Sequence, residues 1–228
     1  SSSIKQRKKL LDICKQIYFV SSWVEDKFFE GIEKNYHSNF KIIYPSINKV
    51  SKLTKKENLI IFSGKLNAAK GFDKFCIAMN KILNKHKTWK AIAIGDEPRE
   101  NIKIKHKNFI YTGWIQHEKV LKIYNRSSIT IVPSSWEEPF GRSSLEAGSR
   151  GNVVIISRKG GLPETIGSPI MLEKITSKCI FNEVDKLIKN KNILLKIQKN
   201  NFEKPLHLIS DNIKILDKDR SQMLNPIK

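Results

Sequence analysis

Apolar residues in this chain occur either in short β-branched runs or at helical spacing. Runs of this kind cover residues 59–63, 89–94, 129–133 and 153–157. They are typical of strands buried in a parallel sheet. After the first run, one face of a predicted helix carries Phe72, Phe75, Cys76, Met79, Ile82 and Leu83. The alternation of strands and helices predicts an α/β fold with a Rossmann-like parallel sheet and helices on both faces.

The flanking segments have a weaker pattern. A helix with a basic face is predicted over residues 1–16, followed by a strand at 18–20, a helix at 24–31 and a strand at 41–48 that runs into a linker. The first helix suits packing onto a neighbouring domain, which we favour, or lipid head groups. Helices are also predicted near the end. We divide the chain into residues 1–48, 49–190 and 191–228, the last being C-terminal helices.

The fourteen residues 138–151 combine a strand exit, a helix start and two acids at fixed spacing. A helix is predicted over residues 142–148, so Glu138 lies in the loop and Glu146 about one turn into the helix. Both acids are expected to face one pocket at the carboxyl end of the strand. Free N–H groups near the helix start favour an anion. The pattern predicts a nucleotide-sugar site; the simpler alternative is two ordinary surface acids.

This stretch resembles the E-x7-E signature of the retaining, family 4-like glycosyltransferases of the GT-B fold, which include glycogen, sucrose and lipopolysaccharide glycosyltransferases. The resemblance extends to Val20-Ser21, Ser63-Gly64-Lys65-Leu66, Lys70-Gly71 and Gly160-Gly161-Leu162-Pro163-Glu164. It implies that the chain is the C-terminal, donor-binding half of a GT-B fold. Residues 1–48 would then be a remnant of the acceptor-binding N-terminal domain plus a linker strand. Because the sequence begins at Ser1, we expect it to be part of a longer enzyme.

The loop of residues 64–71 lies between the first strand and its helix. It has neither a Walker A nor a G-x-G-x-x-G pattern. It resembles the family's G-R-L-x-x-x-K-G turn, which implies that Lys65 and Lys70 hold the donor pyrophosphate. Lys65 stands where the family usually has arginine, so a point charge replaces a bidentate fork. A solvated surface position is the alternative for both lysines, because 42 of the 228 residues are basic.

The resemblance also implies which residues bind the donor. Glu138 would orient the transferred sugar and act as a catalytic residue with Lys65 and Lys70, whereas Glu146 would bind the ribose diol. The other predicted donor-binding residues are Gly64, Phe140, Gly141, Arg142, Ser143, Gly95, Trp114, Gly160 and Gly161. Trp114 and Trp136 are expected to be core or rim aromatics rather than stacking platforms. The role of Glu164, as a helix cap or a contact, stays open.

The donor substrate would be a nucleoside diphosphate sugar, and we expect no metal and no other cofactor. A basic pair and a helix N-terminus are able to stabilise the leaving phosphate without a metal. The histidines His37, His86, His106, His117 and His207 show no metal-ligand spacing. A glycosidase-like acid and nucleophile pair is rejected because the neighbouring basic loop indicates a phosphate.

Charge and composition bear on partners and location. The net charge of +20 attracts anions, but lysines scattered among Asn and Ile equally suit an AT-rich genome. Three widely separated cysteines indicate reduced, buried thiols in a cytosolic protein. No apolar run approaches the ~20 residues that span a bilayer, and no signal-peptide pattern occurs. We expect a cytoplasmic protein, with peripheral contact at the anionic inner membrane face.

Two functions from different classes follow. The favoured one is a transferase half that acts on a glycan, lipid-linked or polysaccharide acceptor of the cell envelope and turns over poorly without the missing N-terminal acceptor domain. The alternative is a non-catalytic basic Rossmann-like module that binds nucleotide, nucleic acid or an anionic membrane. No RNP-like or helix-turn-helix pattern occurs, so we expect no nucleic-acid partner.

Overall fold

The computed structural model describes residues 3–33 and 39–224, and His37 lies outside them. The chain divides into two units, one of residues 49–206 and one of residues 1–48 with 207–228. Residues 191–228 are therefore divided between the two units. Whether the boundaries at 48 and 190 are domain boundaries stays a prediction.

The smaller unit is built around a two-stranded parallel sheet. Its elements are α1 (Ile4–Ile13), β1 (Gln16–Phe19), α2 (Ser22–Phe29), β2 (Asn39–Ile42) and α8 (Ile209–Leu224). Ser21 begins α2, because its side chain accepts a hydrogen bond from the Val24 N–H. Asp219 of α8 is buried, pairs with Lys41 and accepts a hydrogen bond of 3.0 Å from the Tyr18 hydroxyl. These polar contacts attach α8 to both strands.

The larger unit contains a six-stranded parallel sheet. Its elements are β3 (Leu59–Ser63), α3 (Phe72–Lys85), β4 (Lys90–Ile94), β5 (Phe109–Tyr111), α4 (His117–Arg126), β6 (Ile129–Val132), α5 (Arg142–Gly148), β7 (Val153–Ile156), β8 (Ile170–Met171), α6 (Ser177–Lys189) and α7 (Lys191–Glu203). The strand order is β5-β4-β3-β6-β7-β8. The chain therefore builds outward from β3 to β5, returns to the centre at β6 and builds outward again.

Both faces of this sheet are covered. In β3, Ile60 and Phe62 join the apolar cluster that includes α3 and α6, whereas Leu59 and Ile61 join the cluster that includes α4 and α5. Successive side chains of a strand point to opposite faces, so each run is buried on both sides. The predicted parallel α/β sheet with helices on both faces is confirmed.

Several details differ from the sequence predictions. The glycine loop at 160–161 is followed by a three-residue 3-10 turn, Leu162–Glu164, and the three-residue strand β5 was not predicted. The two-residue strand β8 was not predicted.

Cys76 alone is a buried thiol, and burial raises its pKa to about 12, whereas Cys14 and Cys179 are partly exposed.

Candidate functional site

The centre of the larger sheet contains a topological switch point. The chain leaves β3 towards one edge and β6 towards the other, so the connections after these neighbouring strands diverge. Open α/β sheets bind ligands in the crevice outside the carboxyl ends of strands at such a point. Ser63 ends β3, Gly64 follows it, and Ser134 follows β6. Two cavities open here, of about 430 and 270 Å³, and they share Ser63, Gly64 and Ser143 in their linings.

Glu146 is the charged group buried in the larger cavity. It lies in the second turn of α5, and its side chain is 8% exposed. Its Oε1 accepts hydrogen bonds of 3.0 Å each from Arg142 Nη2 and His117 Nε2. Within the described part of the chain, both side-chain hydrogen bonds of Glu146 end on Oε1. Oε2 is therefore available to accept a hydrogen bond from a ligand.

Glu138 and Lys70 form an ion pair in the smaller cavity. Lys70 Nζ donates to Glu138 Oε1 over 2.6 Å, and the two side chains are 29% and 13% exposed. Lys70 ends a 3-10 turn, Ala68–Lys70, that Asn67 caps by accepting from the Lys70 N–H. The loop after β6 supplies Glu138. The structure thus brings two predicted catalytic residues together, whereas Lys65 lines the larger cavity.

Two glycines hold the loops of the site close to each other. A Cβ atom at Gly95 would lie 2.0 Å from the Gly64 carbonyl oxygen, and one at Gly160 would lie 2.0 Å from the Glu138 carbonyl oxygen. The Gly161 N–H also donates to the Glu138 carbonyl over 2.7 Å. Gly160 and Gly161 therefore fix the loop that carries Glu138. Their predicted contact with a donor stays a prediction, because neither lines the two cavities.

The other predicted donor-binding residues are placed as follows. The larger cavity is lined by Gly64, Gly95, Trp114 and Ser143, and the smaller one by Gly64, Gly141, Arg142 and Ser143. Phe140 is buried, with 3% exposure, and lines neither cavity. Trp114 is 72% exposed at the rim of the larger cavity and Trp136 is 61% exposed. Neither tryptophan belongs to the core, and Trp114 has a rim position, one of the two positions expected.

Sequence reasoning missed several residues that line the cavities: Ser63, Asp96, His117, Tyr124 and Ser134. His117 and Tyr124 both come from α4. Their helical spacing with Val120 places all three on one face of α4, and this was the signal that could have found them. Tyr124 was not predicted as a site residue. It is fully buried, and burial raises its pKa.

Residues 3–33 and 39–224 contain no group of three His, Cys, Asp or Glu side chains arranged to hold a metal ion. Within the same ranges, no helix has the length and apolar character needed to cross a membrane.

A doubly covered parallel sheet with a charged, two-part cavity at its switch point defines a ligand-binding α/β domain. Residues 44–204 match the family described as glycosyl transferases group 1, and the chain belongs to this family. The fold is the GT-B-like α/β fold of solved glycosyltransferase structures.

Two proteins are similar to this chain in sequence. It is 31% identical over 170 residues to an uncharacterised 42.6 kDa protein in the cps region of Klebsiella pneumoniae, covering 69% of this chain and 42% of that protein. It is 32% identical over 117 residues to an uncharacterised glycosyltransferase of Methanocaldococcus jannaschii, covering 48% of this chain and 30% of that protein. The chain therefore spans less than half the length of these relatives.

A solved structure gives the fold match. The Anabaena protein HepE, in complex with UDP and glucose, superimposes with a TM-score of 0.75 at 16% identity. The match covers 94% of this chain and 65% of HepE.

Proposed function

We propose that this chain is the donor-binding part of a retaining glycosyltransferase of the family 4-like, E-x7-E type. It would transfer a sugar from a nucleoside diphosphate sugar to a glycan, lipid-linked or polysaccharide acceptor. The observation that carries the proposal is the division of the switch-point crevice: one part holds the buried carboxylate of Glu146, and the adjoining part holds the Lys70–Glu138 pair. The UDP in the HepE structure supports a nucleoside diphosphate as the ligand class.

The larger cavity suits the nucleoside. Its volume of about 430 Å³ lies within the range of small-molecule pockets, which is roughly 300–1,000 Å³. A buried carboxylate is a strong acceptor for two neighbouring hydroxyls, because hydrogen bonds to ionised groups are shorter and stronger than neutral ones. Glu146 has Oε2 available for this purpose. We therefore assign the ribose diol to Glu146.

The lysines would act on the pyrophosphate. When the bond between the sugar C1 and the phosphate oxygen breaks, the electron pair goes to that oxygen and negative charge grows there. Lys65 in one cavity and Lys70 in the other flank Gly64, so a diphosphate that spans both cavities would meet two cations. We assign charge stabilisation mainly to these lysines, because α5 has only seven residues.

Glu138 would orient the transferred sugar. Its contact with Lys70 places the carboxylate beside the position proposed for the phosphate, where a sugar hydroxyl is within reach. In the proposed retaining reaction, the acceptor hydroxyl attacks C1 on the face from which the phosphate leaves, and its proton passes to the departing phosphate oxygen. No protein nucleophile is assigned. The acceptor class, the cytoplasmic location and peripheral contact with an anionic inner membrane belong to the proposal and rest on the resemblance and on the net charge of +20.

Calorimetric titration with UDP-, GDP-, ADP- and dTDP-sugars tests the proposal. We expect saturable binding of one nucleotide class, loss of that binding in Glu146→Ala, and retention in Glu118→Ala, which removes an exposed acid from α4. A folded chain that binds none of these sugars would contradict the proposal. Equal and steeply salt-dependent binding of all of them, unchanged in Glu146→Ala, would instead favour the basic binding module.

A further inference from the structure

The Tyr124 hydroxyl is buried without a hydrogen-bond partner. Four buried side-chain polar atoms in residues 3–33 and 39–224 share this property: Arg7 Nε, Tyr124 Oη, Arg150 Nε and Asn201 Oδ1. Of these residues, only Tyr124 lines the larger cavity, beside Glu146. Buried polar groups in native proteins are nearly always hydrogen-bonded, so each exception calls for an explanation.

Packing does not require this hydroxyl. Tyr124 is 0% exposed and belongs to an apolar cluster with Leu59, Ile61 and Val120, where a phenylalanine ring would fill almost the same volume. Burying an unpaired hydroxyl costs stability relative to an apolar group of the same shape. The hydroxyl therefore indicates a partner that it meets only in another state of the site.

The surroundings of Tyr124 identify that partner. Burial raises the pKa of Tyr124, an interaction with the Ser63 side chain lowers it, the Glu146 charge raises it and the Arg150 charge lowers it. Ser63 lies close to the phenol, but this contact does not have the distance and angle of a hydrogen bond. The phenol is therefore neutral and able to donate at physiological pH. Glu146 lines the same cavity as Tyr124, and its charge acts on the phenol. A charged acceptor forms a stronger hydrogen bond with a phenol than a neutral one does.

In the described residues, the side-chain hydrogen bonds of Glu146 involve only one of its two carboxylate oxygens. Arg142 and His117, whose side chains are 67% and 56% exposed, both bind its Oε1. A ribose diol that enters the cavity would approach the carboxylate at Oε2, which neither of these donors contacts. A donor on the buried side would then keep the carboxylate in place while its free positions accept the two ligand hydroxyls.

We propose that Tyr124 is a positioning residue for Glu146, whose carboxylate accepts a hydrogen bond from the Tyr124 hydroxyl when the ribose diol is bound. This inference rests on the proposed function, because it requires Glu146 to bind the diol. Tyr124 acts through Glu146 and does not itself contact the reacting atoms. Removal of its hydroxyl must therefore weaken the binding of ligands that have a diol and leave the binding of ligands without one unchanged.

The test is calorimetric titration of the 228-residue chain with UDP, GDP and ADP and with their 2′,3′-dideoxy counterparts. Tyr124→Phe is expected to weaken binding of the preferred diphosphate roughly tenfold, the range for loss of one hydrogen bond to a charged group. Binding of the dideoxy form should be unchanged. The thermal unfolding midpoint should equal or exceed that of the wild type, since an unpaired buried hydroxyl is removed.

Tyr18→Phe is the matched control, because it removes a tyrosine hydroxyl that donates to Asp219 in the smaller unit. It should leave nucleotide affinity unchanged. Equal weakening of both nucleotide forms by Tyr124→Phe, or a lower unfolding midpoint, would show a packing role and overturn the inference. Unchanged affinity for the diol form would also overturn it.

Failure of the inference and failure of the proposed function are distinguishable. If the wild type binds a diphosphate and Glu146→Ala abolishes binding while Tyr124→Phe does not weaken it, only the role of Tyr124 is wrong. If the wild type binds none of the diphosphates, both are wrong.

Discussion

Lys70 and Glu138 are 68 positions apart in the chain, yet Lys70 Nζ lies 2.6 Å from Glu138 Oε1. The contact joins the loop after β3 to the loop after β6, which are the two loops of the switch point. Both side chains are partly buried, so the pair is less screened by solvent than a surface ion pair. It places a cation and a carboxylate side by side where the proposed phosphate and sugar would meet.

Replacement of Lys70 tests its proposed phosphate contact. Lys70→Met should weaken nucleoside diphosphate sugar binding by roughly tenfold, because a charge-assisted hydrogen bond to phosphate is lost. Lys74→Met is the control, since Lys74 lies on α3 and lines neither cavity. The affinities are measured by calorimetry at one fixed salt concentration. Equal affinities in the two variants would refute the assignment.

His117 was not predicted as a site residue, and its contact with Glu146 gives a second prediction. His117→Ala should weaken donor binding by about threefold, a smaller effect than that of Glu146→Ala, because Arg142 still holds Oε1. His106→Ala removes a ring that accepts a hydrogen bond from the Asn108 N–H and is the matched control. If the His117→Ala and His106→Ala variants bound the donor with the same affinity, His117 would have no part in the site.

Gly160 should be intolerant of a side chain. Its φ is +57°, and a Cβ atom would lie 2.0 Å from the Glu138 carbonyl oxygen, so Gly160→Ala must displace the loop that carries Glu138. We expect a loss of about 2 kcal/mol in the free energy of unfolding, together with weaker donor binding. Gly167→Ala is the control, because nothing lies within 4 Å of its Cβ position. Denaturant unfolding gives the free energy of unfolding of each variant. Equal stability of Gly160→Ala and Gly167→Ala would contradict the prediction.

Glu97 makes stability depend on pH. Arg99 donates to its carboxylate over 2.7 and 2.8 Å, and Asn67, which caps the turn of Lys70, donates over 3.2 Å. Hydrogen bonds from Arg99 lower the pKa of Glu97 from 4.5 to about 2, although burial opposes this shift. Because the folded pKa lies below the unfolded one, Glu97 stabilises the fold fully above about pH 4.5, and this contribution is lost as pH falls towards 2.

The measurement is the difference in unfolding midpoint between the wild type and Glu97→Gln from pH 7 to pH 3. The wild type should be more stable at pH 7, and the difference should shrink below about pH 4.5. A difference that stays constant across this range would show that the Glu97 charge does not contribute.

Much of the fold could be predicted because local pattern and buried environment agree. The apolar runs of β3, β6 and β7 lie in a sheet covered on both faces, and the helix predicted over residues 142–148 has the observed bounds of α5. The strand β5 was not predicted, because it has only three residues before the chain turns at Gly113, whose φ is +65°. The two-residue strand β8 carries too short a pattern to be recognised.

The candidate site was predicted less completely. Glu138, Glu146 and Lys70 belong to local motifs, so sequence reasoning could single them out. The contacts of Glu146 with His117, and the approach of Gly160 to Glu138, depend on how distant segments pack and have no local signal. The unpaired hydroxyl of Tyr124 is a property of the packed structure alone and has no signal in the sequence.

A structure of this chain with a bound nucleoside diphosphate sugar tests the central claim most directly. We predict that both ribose hydroxyls lie within hydrogen-bond distance, about 2.5–3.2 Å, of the Glu146 carboxylate, with the diphosphate between Lys65 and Lys70. A nucleotide bound elsewhere, or bound in the crevice with its ribose turned away from Glu146, would contradict the account.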